Sequence, residues 1–195
     1  MAASRMGGLM LGYAQPGGLG DLVAAKPKMV ISLGADEVDY TKFAGSMIVH
    51  IGHHGDKAAH AADVILPAAA FTEKDGTYVN TEGRVQYAER ANFAPGDARE
   101  DWAILRALSE VVGTKLSFDS LADLRKALYA AHPHFARIDA IEQGSINIAN
   151  ADALGTGAFT CAVDDFYLTN PIARASAVMA ECSALAKGRL QQAAE

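Results

Sequence analysis

Three short apolar runs, each closed by a glycine or a proline, set the tightest limit on what this chain can fold into. They are Lys28-Met29-Val30-Ile31-Ser32-Leu33-Gly34, Ser46-Met47-Ile48-Val49-His50-Ile51-Gly52 and Ala62-Asp63-Val64-Ile65-Leu66-Pro67. Uninterrupted runs rich in Val and Ile have the pattern of strands buried on both faces, which is how strands of parallel sheets read. Asp36 to Ala44 between the first two runs is a short helical candidate with Asp36 as N-cap, and Asp56 to Ala61 between the last two is a shorter one. Strand, crossover, strand, crossover, strand is part of a parallel α/β sheet.

The chain before the first run holds six of its 18 glycines, at Gly7, Gly8, Gly12, Gly17, Gly18 and Gly20, and is expected to be irregular. Beyond the third run, Thr77–Asn80 and Arg84–Tyr87 are short extended pieces around Thr81-Glu82-Gly83, a tight-turn sequence. Ala98 to Val112 carries Trp102, Leu105, Leu108, Val111 and Val112 at helical spacing, with Gly113 as a C-cap. A second helix is expected from a cap at Asp119 or Ser120, with Leu121, Leu124 and Leu128 on one face and a stop near Pro133. From about Gly144 the chain turns polar and glycine-dotted, and Ala173 to Ala186 after Pro171 is a last helical candidate. The expected division is residues 1–143 as an α/β unit and 144–195 as a tail that serves as an interface, with Phe159, Phe166, Tyr167, Leu168, Ile172, Val178, Met179 and Leu185 as its apolar positions.

A net charge of −6 from 17 basic and 23 acidic residues argues against nucleic acid as a partner. The longest apolar stretch, Val64 to Phe71, is far short of the roughly 20 residues a membrane-spanning helix needs, so no membrane insertion is expected. Met1 to Gly8 lacks the apolar segment of a secretion signal. Two cysteines, Cys161 and Cys182, are expected to stay reduced.

Chemistry-bearing residues concentrate in two places. His50, His53, His54 and His60 lie within 11 residues beside Asp56, and His50, His54 and Asp56 could supply metal ligands from a strand end and its loop. Set against that, His53, His54 and Asp56 bring only two histidines together without a third spaced ligand, and loop histidines commonly hydrogen-bond a strand end; the second reading is preferred, with no metal. The turns Gly34-Ala35-Asp36 and Gly52-His53-His54-Gly55-Asp56 follow two strands at the edge where α/β sheets bind ligands, yet no dinucleotide or P-loop fingerprint accompanies them. The other place is the turn: Gly76, Asn80, Gly83 and Arg84 suit either a tight turn, with Asn80 bonding its own backbone and Arg84 pairing with Glu82 or Glu73, or contact with a ligand phosphate.

The stretch Ala62-Asp63-Val64-Ile65-Leu66-Pro67, followed by Glu73-Lys74-Asp75-Gly76-Thr77-Tyr78-Val79-Asn80-Thr81-Glu82-Gly83-Arg84-Val85-Gln86, resembles the ADVVLP…E-x-x-GT-x-x-N-x-EGR-x-Q signature of the molybdopterin oxidoreductase superfamily. Gly52-His53-His54-Gly55-Asp56, Thr72-Glu73-Lys74 and Tyr78 to Arg84 are similar to one branch of it, the large iron–sulfur subunit of respiratory complex I (NADH:quinone oxidoreductase). Ala3-Ser4-Arg5-Met6-Gly7-Gly8 resembles an internal stretch of that subunit, and Phe166 to Ser176 resembles its C-terminal tail.

The resemblance implies a parallel, Rossmann-like sheet segment of a molybdopterin oxidoreductase-like domain, with flanking helices and an irregular C-terminal tail. It implies a scaffold role in electron transfer from NADH to quinone, beside 2Fe–2S and 4Fe–4S clusters held by an N-terminal region whose cysteine motifs are not in this sequence. Each cluster needs about four thiolates and this chain has two, so no cofactor and no catalytic residue is expected here. Implied partners are other peripheral-arm subunits, on the cytoplasmic face of a bacterial inner membrane or the mitochondrial matrix side. The alternatives are part of a pterin-binding oxidoreductase such as a formate dehydrogenase, with Asn80, Gly83 and Arg84 as cofactor contacts, or a free-standing ligand-binding α/β domain.

Overall fold

The computed structural model describes residues 5–13, 17–141, 156–159, 161 and 163–194. The glycine-rich start corrects the expectation of irregular chain: it contains two short helices, α1 (Arg5–Met10) and α2 (Gly18–Ala24). Glycine lowers helix propensity by about 1 kcal/mol per residue, but packing overrides it. Met6 and Met10 of α1 pack against the buried Val79, Val85 and Phe135, and Val23 of α2 packs against the buried Tyr40, Phe43, Ile48 and Ala58.

The three runs form strands β1 (Met29–Leu33), β2 (Met47–Gly52) and β3 (Val64–Pro67) of one parallel sheet in the order β1-β2-β3. The register pairs Ser32 with His50 and Leu33 with Ile51, then His50 with Ile65 and Ile51 with Leu66. The first crossover is a 3₁₀ turn, Tyr40–Phe43, rather than the helix expected from Asp36; Asp39 caps it by accepting from the Thr41 amide, and Asp36 is buried elsewhere. The second crossover is helix α3 (Lys57–Ala61).

Full burial of all three strands does not hold. Met29, Ile31 and Leu33 of β1 project to one face, where Ile31 is 41% and Leu33 49% exposed, and Val64 and Ile65 of β3 are also exposed. The cover is concentrated on the central strand, where Ile48, Val49, His50 and Ile51 are all buried. The other face of β1 and β2 holds Val30 and Ile48, which pack with Tyr40, Phe43 and Ala58 of the crossovers. Each such buried side chain contributes about 1.5–3 kcal/mol.

A hairpin follows, β4 (Gly76–Val79) antiparallel to β5 (Val85–Ala88). Helix α4 (Asp101–Val111) starts three residues later than its sequence pattern; Ala103, Ile104, Ala107 and Leu108 flank Leu66 and Pro67 of β3. Helix α5 (Leu121–Ala131) starts at Ser120, whose hydroxyl accepts from the Asp123 amide. It ends at the 3₁₀ turn Pro133–Ala136, which buries Phe135 between the hairpin and α5.

The expected polar stretch from Gly144 lies largely outside the described residues. The end of the chain is a 3₁₀ turn (Phe166–Leu168), a short helix α6 (Pro171–Arg174) capped by Asn170, and a long helix α7 (Ala177–Ala194). The single helix expected over Ala173–Ala186 is thus two, broken around Ala175-Ser176. No helix among the described residues is long and apolar enough to cross a membrane.

Candidate functional site

Parallel strands all deliver their carboxyl ends to one edge, so the turns after β1 and β2 sit side by side there. Ser32 and His50 each interrupt an otherwise apolar strand near that edge, and the register sets them next to each other. His50 is 1% exposed and Asp36, from the turn after β1, is 6% exposed. The Tyr40 hydroxyl donates to the Ala35 carbonyl and lies 2.5 Å from Ser32 Oγ, which is 3.3 Å from His50 Nδ1. With Ser32 donating to Tyr40, His50 Nδ1 is the donor to Ser32, and the second ring nitrogen is Nε2. It faces Asp36 Oδ1 at 3.9 Å, and both atoms are buried without a hydrogen-bond partner among the described residues. The sequence Ser–His–Asp is that of a hydrolytic triad, but this serine hydroxyl is buried and hydrogen-bonded to Tyr40, so no substrate carbonyl reaches it.

The turn after β2 is closed as well. The His50 ring folds over Gly52, where a Cβ would stand 2.2 Å from Nε2, so only glycine fits beneath it. His53 and His54 bond each other, Nδ1 to Nδ1 at 2.7 Å, with the rings edge to face. Partial burial, His54 and Lys74 push the His53 imidazole below its ordinary range, outweighing the pull of Asp36 and Asp101. Lys74 itself is paired with Asp101. Asp56 turns away to Arg174 of α6, whose Nε donates to Oδ2 at 2.5 Å across 118 residues of sequence. Burial opposes ionisation of Asp56, but the Arg174 hydrogen bond, the Lys57 amide and the two cations outweigh it and hold the carboxyl below its usual range.

His50, His54 and Asp56 are therefore not brought together: His50 is in the strand interior, His54 pairs with His53, and Asp56 with Arg174. Among the described residues no group of three His, Cys, Asp or Glu side chains could hold a metal ion. Cys161 and Cys182 are free thiols. Sequence reasoning missed Ser32, Tyr40, Lys74, Asp101 and Arg174 as members of this edge. The lone polar residues inside two apolar runs were the available signal for Ser32, and nothing in local spacing points to Arg174.

At the hairpin, Asn80 Oδ1 accepts from the amides of Glu82 and Arg84, both at 3.0 Å, and Asn80 Nδ2 reaches Glu82 Oε2 at 3.3 Å. Arg84 Nη2 stands 3.7 Å from the same Glu82 oxygen. Gly83 has φ +85°, where a side chain is strained although space around it is open. Gly83→Ala is expected to lower stability by about 1–2 kcal/mol in urea unfolding, with the hairpin retained. A neutral result would show that the turn relaxes.

Residues 1–111 match the family described as molybdopterin oxidoreductase, and residues 136–182 match a family described as the C-terminal region of an NADH-ubiquinone oxidoreductase subunit. The chain is 42% identical over 193 residues to the NADH-ubiquinone oxidoreductase 75 kDa subunit of Reclinomonas americana, covering 95% of this chain and 28% of the relative. It is 42% identical over 196 residues to the mitochondrial 78 kDa subunit of Neurospora crassa, covering 95% and 26%. It is 44% identical over 165 residues to the mitochondrial NADH dehydrogenase [ubiquinone] iron-sulfur protein 1 of Solanum tuberosum, covering 82% and 22%. The chain thus spans about a quarter of the length of the curated relatives it matches.

Proposed function

Because the chain belongs to the molybdopterin oxidoreductase family, and because its tail matches the C-terminal region of an NADH-ubiquinone oxidoreductase subunit, we propose that it works as a cofactor-less scaffold module of the large iron–sulfur subunit of an NADH:quinone oxidoreductase. The observation that carries this reading is the closed carboxyl edge of the sheet. A pterin dinucleotide would need an open mouth between β1 and β2 and donors aimed at its phosphates. In this chain Tyr40, Ser32 and Ala35 bond one another across the first turn, the His50 ring covers the second, and the buried Asp36 carboxylate would repel an anion. Lys74 and Arg174 are committed to Asp101 and Asp56, and Asn80 is committed to its own turn. The residues present do not fit the family's pterin group.

The module's work is then mechanical. It presents a rigid sheet edge and a helical tail, while electrons pass through clusters held elsewhere in the subunit. Its partners are other peripheral-arm subunits, on the matrix side in mitochondria or the cytoplasmic side in bacteria, with no nucleic acid and no inserted segment. Residues 1–143 are the scaffold and 144–195 the interface-bearing tail.

The test is metal analysis and oxidised-pterin fluorescence on the tag-free chain, together with co-purification on co-expressed peripheral-arm subunits. Trace molybdenum and iron, with stable association, is the expected result. Stoichiometric molybdenum or pterin would overturn the scaffold reading in favour of a pterin-binding oxidoreductase.

A further inference from the structure

The end of the chain is built as a separate piece. Asp165 accepts from the Tyr167 amide at 3.1 Å and from Ser183 Oγ at 2.5 Å, and stands 2.8 Å from Lys187 Nζ. Arg174 Nη1 donates to the Leu168 carbonyl at 3.2 Å. These bonds tie the 3₁₀ turn, α6 and α7 to one another, and the three elements pack mainly among themselves. The apolar side chains Phe166, Val178 and Leu185 face solvent rather than the sheet layer. These three side chains therefore add nothing to adhesion on the sheet.

The ion pair found between this piece and the sheet layer, among the described residues, is Arg174 with Asp56. Arg174 is 21% and Asp56 15% exposed, so both charges lose most of their hydration when they meet. Arg174 Nη2 is buried without an acceptor among the described residues, which weakens the closed state further. The Arg174 bond and charge outweigh the burial of Asp56, so the pair holds the piece closed while both charges are present. It is also placed to matter, because Asp56 ends the turn that carries His53 and His54.

We infer that residues 165–188 form a cap that opens and closes on the carboxyl edge of the sheet, with Arg174–Asp56 as its latch. Closed, the cap holds the Gly52-His53-His54-Gly55-Asp56 turn against the tail; open, it frees that turn and the inner side of α6 together. This device does not depend on the scaffold reading, since it concerns only contacts within the chain.

Hydrogen exchange read by mass spectrometry on the whole 195-residue chain tests it. Asp56→Asn and Arg174→Gln should each speed exchange about tenfold both at the Arg174 to Ser176 amides and at the His60 amide, which bonds the Asp56 carbonyl, with β2 unchanged. The charge swap, Asp56→Arg with Arg174→Asp, should restore part of the protection. Arg174→Lys, which keeps the charge but not the Nε donor to Asp56, should release α6 less than Arg174→Gln does. Protection that ignores all of these substitutions would overturn the latch. Should a single variant loosen β2 as well, the charge swap decides: protection restored together at Arg174 to Ser176 and at His60 supports the cap, and its absence refutes it.

Discussion

Phe135→Ala is expected to lower stability by about 3–5 kcal/mol, the cost of removing a buried aromatic ring from a filled site. Phe135 is 3% exposed and closes a cluster with Val79 and Val85. Met6 and Met10 of α1, Leu128 and Tyr129 of α5, and Ile138 pack against this cluster, which joins α1, the hairpin and the α5 end of the chain. At this chain length the change corresponds to a fall of roughly 10 °C in Tm. Urea unfolding followed by circular dichroism reads it directly. A loss below about 1 kcal/mol would mean that α1 and α5 are not held to the hairpin through this residue.

His50→Ala is expected to cost about 2–4 kcal/mol, and for a different reason. Beyond the lost volume, it strips the buried Asp36 carboxylate of its one facing imidazole and deprives Ser32 of a hydrogen-bond partner. Asp36→Ala alone should be mild, within about 1 kcal/mol, because one oxygen of that carboxylate is buried without a hydrogen-bond partner among the described residues. The asymmetry makes a double-mutant cycle informative: removing both should cost less than the sum by about 1–2 kcal/mol. Strict additivity would show that the two side chains do not interact across their 3.9 Å gap.

These two sites mark where the sequence was readable and where it was not. The three strands follow from Val- and Ile-rich runs with punctuating glycine and proline, a signal carried within each segment. The hairpin around Glu82-Gly83 and the Ser120 start of α5 are equally local. Helix α1 was not legible, because Arg5–Met10 owes its helicity to packing against Val79 and its neighbours. Asp36 carries the signal of an N-cap but is buried beside a histidine from another strand, which only the parallel register brings near. At the candidate site, the clustering of His53, His54 and Asp56 along the chain suggested shared ligands. In space Asp56 is claimed by Arg174, and no reading of spacing could anticipate a partner 118 residues away. The half-exposed faces of β1 and β3 were also hidden, since apolar composition shows what a strand can bury and not whether cover is present.

That uncovered first strand has a consequence for how the chain behaves at high concentration. β1 is an edge strand, so one row of its amides and carbonyls has no neighbour in the sheet, and Met29, Ile31 and Leu33 point outward beside that row. The segment Met29-Val30-Ile31-Ser32-Leu33 contains neither charge nor proline, which is the composition that stacks readily into cross-β ribbons. Lys28 at its start and Asp36 beyond its end are the nearest charges, and Asp36 is buried, so one gatekeeper guards the strand in practice. Solubility of the free polypeptide is thereby set less by its net charge of −6 than by how soon a neighbour hides five residues.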